Sequence, residues 1–287
     1  MPLLTPATVH ALLDAHGLHP KRSLGQNFLA DPNTARRVVA LADLPAAAPV
    51  LEIGPGLGSL TLALLDAGHD VVALELDDRL ADVLRAVVAE AGADASRRVR
   101  VEHGDAVTVD LHTLLVAPPA PRACVSNLPY NIAVPVVVRL LEEADAVERI
   151  LVMVQREVGE RLAAVPGDPQ YGAVSVKVAY FAEAQVVGLV PPTVFVPRPK
   201  VDSALVRLRR RTAPPVTVPS ADDLFALVRA GFSQRRKMLR RSLAPLLGDA
   251  TTAVLSAAGV APTARAEALG LDDWAAVARS AAEAEAA

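Results

Sequence analysis

Asn127-Leu128-Pro129-Tyr130 closes an apolar run that begins after Arg122, and its residue types suit one task, the holding of an exocyclic amine. The amine of a purine or pyrimidine is a poor nucleophile because its lone pair is delocalised into the ring. A site that uses it must supply acceptors that draw the nitrogen towards tetrahedral geometry. The Asn127 side chain and the Pro129 carbonyl are candidates. The Tyr130 ring offers a face on which a base stacks, a contact worth roughly 1–3 kcal/mol in single-stranded recognition. Without context, the same four residues are a strand end followed by a proline turn.

The context lies upstream. Glu52-Ile-Gly54-Pro-Gly56-Leu-Gly58 falls between an expected strand and an expected helix, where glycines let a ligand approach the backbone. A nicotinamide fingerprint wants its third glycine one position later, where Ser59 stands, so the dinucleotide reading weakens. Glu75, about twenty residues on at the end of the next strand, is placed to accept from ribose hydroxyls. Asp105, in Gly104-Asp105-Ala106 after the third strand, is placed to meet the amine of a bound adenine. A glycine loop, an acid for ribose, an acid for adenine and then the amine-holding residues, in that order, point to S-adenosylmethionine as the cofactor.

The elements that must position these groups follow from hydrophobic patterning. Strands are expected at 50–53, 71–75, 99–102, 123–126 and 150–154, with further strands near 184–190 and 203–208. A helix over 59–67 follows the glycine turn. Asp77 opens another, whose Leu80, Val83, Leu84 and Val87 fall three or four apart. This alternation is the sequence form of an α/β fold with a parallel sheet between helices, and the ends of its strands make a ligand crevice. The stretch 211–220, with Pro214, Pro215 and Pro219, reads as a linker. Beyond it the stripes Leu224, Leu227, Val228, Phe232 and Leu239, Leu243, Leu246 describe a small all-helical C-terminal domain.

Composition bounds the partners. A net charge of −3 over 287 residues argues against a protein that coats nucleic acid indiscriminately, so any RNA site needs local asymmetry. Between 229 and 241 there are six basic residues, Arg229, Arg235, Arg236, Lys237, Arg240 and Arg241, and no acidic one. Six scattered histidines lack metal-site spacing, and no metal is expected. The lone Cys124 suits a reducing compartment, and no apolar stretch reaches membrane-spanning length, so a cytoplasmic protein without membrane contact is expected.

Taken together, the chain resembles the small-subunit rRNA adenine N6,N6-dimethyltransferases, the KsgA and Dim family. The resemblance rests on Lys21-Arg-Ser-Leu-Gly-Gln-Asn-Phe-Leu29, Glu52-Ile-Gly-Pro-Gly56, Glu75-Leu-Asp77, Gly104-Asp105-Ala106, Asn127-Leu-Pro-Tyr130, Val194-Phe-Val-Pro-Arg-Pro-Lys-Val-Asp-Ser203 and Gln234-Arg-Arg-Lys237. It implies a Rossmann-like class I methyltransferase sheet of seven strands over 1–211, with an N-terminal cofactor-contacting segment, and a helical domain over 212–287 that binds rRNA or the subunit. Two adjacent adenosines near the 3′ end of 16S rRNA are the implied acceptors, and a monomer is expected. By the same resemblance Gln26, Asn27 and Leu29 contact the cofactor, Gly54 and Gly56 form its loop, and Leu76 and Ala106 flank the two acids. Asn127, Leu128, Pro129 and Tyr130 are the catalytic motif, Phe195 is a second aromatic wall of the base pocket, and Lys200, Arg235, Arg236, Lys237 and Arg240 are RNA contacts.

Rivals are separable by residues. A cytosine-C5 methyltransferase needs a cysteine nucleophile, but Cys124 falls inside an apolar strand. The 23S rRNA dimethyltransferases of the macrolide-resistance type commonly carry Asn-Ile-Pro-Tyr. The Pro-Lys-Val-Asp-Ser and Gln-Arg-Arg-Lys stretches fit the small-subunit group better. A ribosome-assembly factor that has lost catalysis is disfavoured by the intact Glu75, Asn127 and Tyr130.

Overall fold

The computed structural model describes residues 2–21 and 25–286, so Arg22, Ser23 and Leu24 of the N-terminal motif lie outside the described residues. Within them the chain forms two compact units, one of residues 1–159 and 184–210, the other of residues 160–183 and 211–287.

The strands are β1 (Phe28–Leu29), β2 (Val50–Ile53), β3 (Val71–Glu75), β4 (Val99–His103), β5 (Ala123–Asn127), β6 (Arg149–Gln155), β7 (Ala182–Val190), β8 (Phe195–Val196) and β9 (Ser203–Arg210), all in the first unit except the first two residues of β7. Seven of them form one sheet in the order β4-β3-β2-β5-β6-β9-β7. β2 to β6 pair in parallel, and β2, β3 and β5 bury nearly every residue, as continuous apolar runs do when helices cover both faces. The expectation of a parallel sheet fails at one side. β9 runs antiparallel to β6, Arg149 opposite Arg209 and Gln155 opposite Ser203, a pairing that tertiary context sets and strand-forming residues do not reveal. The order still reverses at β2, with β3 on one side and β5 on the other, and a crevice opens at such a switch.

Local sequence explains the helices that shape that crevice. Gly58 stands at φ 93° immediately before helix Ser59–Asp66, and a side chain there would meet the Leu84 methyl at 2.7 Å. Helix Asp78–Glu90 is capped by the Asp77 carboxylate on the Arg79 N–H and buries the expected Leu80, Val83, Leu84 and Val87.

The second unit packs helices Ala221–Ser233, Leu239–Ser242, Thr251–Ala257 and Leu271–Ala286 around Trp274, which is wholly buried. A methyl group on Gly231 would sit 2.4 Å from the Trp274 ring, so this glycine is required by close packing. The expected boundary, between 211 and 212, lies one residue from the point where this unit resumes at Arg211, and residues 160–183 also belong to it. Tyr171 and Tyr180 are the reason. Both are buried among its apolar residues, and the Tyr171 hydroxyl donates to the Leu269 carbonyl at 2.8 Å, a link that no linear division of the chain anticipates.

Candidate active site

A cleft of ≈ 990 Å³, its open mouth included, lies at the C-terminal ends of β2, β3, β4 and β5. Gln26, Asn27, Leu29, Gly54, Gly56, Glu75, Leu76, Asp105, Ala106, Asn127, Leu128, Pro129 and Tyr130, spread over a hundred residues of sequence, all line it.

Glu75, at the end of β3, is buried and bound by backbone. Its Oε1 accepts from the Leu76 and Asp77 N–H groups, each at 3.0 Å, and its Oε2 from the Gly56 N–H at 3.0 Å. Burial raises its pKa, and the three amides partly offset that. A carboxylate offers about four lone-pair positions, so the remaining acceptor capacity lies on Oε2, facing the glycine loop. The loop itself is tight: Gly54 and Gly56 have φ of 67° and 58°, and a Cβ on Gly56 would stand 2.9 Å from the Phe28 ring. Phe28 thereby seals the floor.

Asp105 accepts from the Val107 N–H through Oδ1 at 2.8 Å. Among the described residues its Oδ2 has no partner and the Ala106 N–H donates to none, leaving an acceptor beside a donor. That pair matches the amine and the neighbouring ring nitrogen of adenine. The carboxylate acceptors, the donor and the cradle whose glycines admit no side chain are a fit to the nucleoside part of S-adenosylmethionine, with no basic cluster for phosphates among the lining residues.

Asn127 ends β5. Its Nδ2 donates to the Asn27 carbonyl at 3.2 Å, which fixes the amide so that Oδ1 is the group left to accept. The segment carrying Asn27 is itself tied down: Lys21 pairs with Asp77 at 2.6 Å, the Gln26 Oε1 accepts from the Lys21 N–H at 2.8 Å, and the Ser59 hydroxyl donates to the Leu29 carbonyl. Lys21 holds the Asp77 carboxyl below its usual value against the opposing effect of burial. The Pro129 carbonyl, expected as the second acceptor, already accepts from the Ile132 N–H at 3.2 Å. The Leu128 carbonyl, one residue earlier, accepts from nothing among the described residues and is the freer acceptor. Tyr130 is half-buried, its hydroxyl paired with the Ser203 Oγ at 3.0 Å and its pKa raised by burial.

Phe195 and the basic run are placed differently from the expectation, whereas Cys124 lies where its apolar strand puts it. Phe195 is not on the wall of the cleft. It lies in the core, 3% exposed, because the two-residue ladder β1–β8 puts it opposite Leu29. Cys124 is wholly buried beside Ser126, and burial pushes its thiol up to about 12, which removes it as a nucleophile. The basic residues do not share one helix: Arg229 lies in helix Ala221–Ser233, Arg235, Arg236 and Lys237 follow its end in the turn before Met238, and Arg240 and Arg241 begin again on Leu239–Ser242. The side chains of Arg236, Lys237, Arg240, Arg241 and Lys200 are exposed and have no partner among the described residues, whereas Arg235 donates to the Pro169 carbonyl at 3.2 Å.

Sequence reasoning passed over Ser203, which pins Tyr130, and Glu52, whose carboxyl lines the floor of the cleft. Glu52 is 1% exposed, accepts from the Thr61 hydroxyl at 2.6 Å and is raised by burial to about 8. Its place in the glycine motif was visible; its protonation was not, because burial on both faces of β2 is a tertiary fact.

The sheet order and this cleft define an S-adenosylmethionine-dependent methyltransferase of the class I, Rossmann-like kind. Comparison with known proteins narrows the class. Residues 17–283 match the family described as ribosomal RNA adenine dimethylase. The chain is 49% identical over 278 residues to the Thermobifida fusca "Ribosomal RNA small subunit methyltransferase A", covering 96% of this chain and 95% of that one. It is 48% identical to the protein of the same name from Cutibacterium acnes, covering 98% and 95%. The crystal structure of the 23S rRNA methyltransferase ErmE superposes with a TM-score of 0.66 at 30% identity, over 88% of this chain and 99% of that one. A dimethyladenosine transferase from Plasmodium falciparum shares the fold, with a TM-score of 0.70 at 24% identity over 87% and 95%. The chain belongs to the ribosomal RNA adenine dimethylase family.

Proposed function

We propose that this protein transfers methyl groups to N6 of two adjacent adenosines near the 3′ end of 16S rRNA, in the small ribosomal subunit or its precursor. The single observation that carries the chemistry is the Asn127 side chain, locked by the Asn27 carbonyl so that Oδ1 accepts at the edge of the cleft. The choice of the small subunit is supported by the names of relatives near 48% identity, against 30% for the 23S enzyme.

S-adenosylmethionine, when bound, supplies an electrophilic methyl group on its sulfonium. The chain's own residues do the rest. The Glu75 Oε2 takes the ribose, while Asp105 and the Ala106 N–H read the amine and ring nitrogen of the cofactor's adenine. Gln26, Asn27 and Leu29 close over it, and Gly54 and Gly56 let it lie against the backbone. The target adenosine, splayed from its stack at a cost of a few kcal/mol, lies on the Tyr130 ring. The Asn127 Oδ1 and the Leu128 carbonyl accept its N6 hydrogens, so the lone pair is freed and aligned for in-line attack. Catalysis is by positioning. The proton leaves to solvent after transfer, and a second cycle needs room for N6-methyladenosine. Lys200 and the basic 235–240 segment grip phosphates without reading sequence. In this reading the protein acts as a monomer in the cytoplasm and needs no metal, because no step calls for a Lewis acid.

The test is to incubate the protein with labelled S-adenosylmethionine and either small or large subunits from an under-methylated strain. Label is expected in small-subunit rRNA. Label in 23S rRNA instead would contradict the choice of substrate.

A further inference from the structure

Before its last two residues, Glu142 and Glu143, helix Ala133–Glu143 is apolar except for Arg139, whose side chain is 15% exposed. Its Nη1 donates to the Ala106 carbonyl at 3.0 Å, its Nη2 to the Val109 carbonyl, and its Nε to the Glu143 carboxylate at 2.9 Å. The Glu143 side chain is half exposed, so that ion pair contributes little by itself. The two carbonyls matter more, because they belong to the loop that presents Asp105.

The Ala106 carbonyl and the Val107 N–H are the two ends of one planar peptide unit. Arg139 holds the oxygen end, and the N–H end donates to the Asp105 Oδ1 at 2.8 Å. The chain of contacts thus runs from guanidinium to peptide to carboxylate, each polarising the next. Val109, the second carbonyl held by Arg139, closes the loop by donating its N–H to the Asp105 carbonyl at 2.8 Å. A guanidinium bridges two carbonyls at fixed separation, whereas an ammonium cannot hold both in one plane.

We propose that Arg139 is a positioning residue that sets specificity for adenine in the cofactor. By orienting the 106–107 peptide it fixes the Asp105 carboxylate, so that Oδ2 faces an amine and the adjacent Ala106 N–H faces an unprotonated ring nitrogen. Hypoxanthine, with an oxygen and a protonated nitrogen in those places, is rejected. The inference rests on the assignment of Asp105 and Ala106 to the cofactor's adenine.

The experiment compares affinities for S-adenosylhomocysteine and S-inosylhomocysteine by titration calorimetry on the full chain, in wild type, Asp105→Ala, Arg139→Met and Arg139→Lys, with folding checked by thermal denaturation. Wild type prefers the adenosyl ligand, and Asp105→Ala loses that preference. Arg139→Met weakens the adenosyl ligand about tenfold and the inosyl ligand less than about twofold. Its KM for S-adenosylmethionine rises by a similar factor, with a smaller change in kcat. Equal weakening of both ligands would mean that Arg139 only supports the fold, and would overturn the inference. Loss of preference in Asp105→Ala but not in folded Arg139→Met would overturn it too, with the adenine assignment standing. Unchanged preference in Asp105→Ala would instead sink the assignment. Should Arg139→Met fail to fold, Arg139→Lys decides: intermediate preference supports the proposal, and full preference contradicts it.

Discussion

In the cleft, Glu75 is held by three backbone amides, Asn127 by a carbonyl a hundred residues away and Tyr130 by a buried serine. In the turn after helix Ala221–Ser233, by contrast, Arg236 and Lys237 stand exposed, with no side-chain partner among the described residues. The difference follows from what each region must do. Methyl transfer depends on sub-ångström placement, so the groups that touch cofactor and amine must be ordered before the ligands arrive. A phosphate backbone accepts positive charge from many directions, and long side chains find it after encounter. One region is costly to alter at single positions; the other is tolerant.

Asn127→Ala should produce the largest effect, a fall in kcat of about 10²–10³ with RNA affinity nearly intact, measured by single-turnover methylation and filter binding. Equal loss of both would make Asn127 a fold residue and break the contrast. Glu75→Gln turns an acceptor towards backbone donors into a donor, and should weaken S-adenosylhomocysteine about 10–100-fold by calorimetry. Unaltered affinity would remove Glu75 from the cofactor site.

A third expectation concerns pH. Burial raises Glu52 from 4.5 to about 8, so between those values the folded chain keeps a proton that the unfolded chain releases. Stability from this group is fully present below the unfolded value, falls as pH rises across the window, and levels off above it. Glu75, also shifted upward, adds the same sign. Glu52→Gln should flatten the fall in Tm between about pH 5 and about pH 8. An unchanged slope would mean that Glu52 is ionised in the folded protein.

Ser203→Ala should raise KM for RNA severalfold, with Tyr130→Phe giving the same effect and the double variant no more, because the two remove one contact. Simple additivity would mean that Ser203 does not act through Tyr130. Smallest of all, Ala at Arg236, Lys237 or Arg240 should each weaken RNA about two- to threefold and reduce the salt slope by about 0.7. A single variant that abolished binding would show a specific contact and blur the contrast between the regions.

The same division governed how much could be read from sequence. β2, β3 and β5 announce themselves as buried apolar runs ending in Gly54, Glu75 and Asn127, because parallel strands and tight turns restrict residue types severely. The antiparallel return of β9 and the transfer of 160–183 to the helical unit were not legible, since pairing and packing depend on distant partners. Phe195 misled for a physical reason. An aromatic in a proline-rich loop suits a base pocket and a core anchor equally, and only the short β1–β8 ladder decides for the core. Ser203 closes a recognised motif but its role does not show there, and Arg139 carries no motif; a serine at a strand start and an arginine on a mostly apolar helix become meaningful only beside Tyr130 and Ala106. The basic run was visible as charge, but its division between a turn and a short helix was not.

If the protein works as proposed, this cleft places an adenine N6 against the sulfonium methyl twice over. Mass spectrometry of nucleosides from small-subunit rRNA after reaction with labelled S-adenosylmethionine reads this out. N6,N6-dimethyladenosine bearing two labelled methyl groups is the predicted product. Label confined to ribose, to another base or to a ring nitrogen would contradict it.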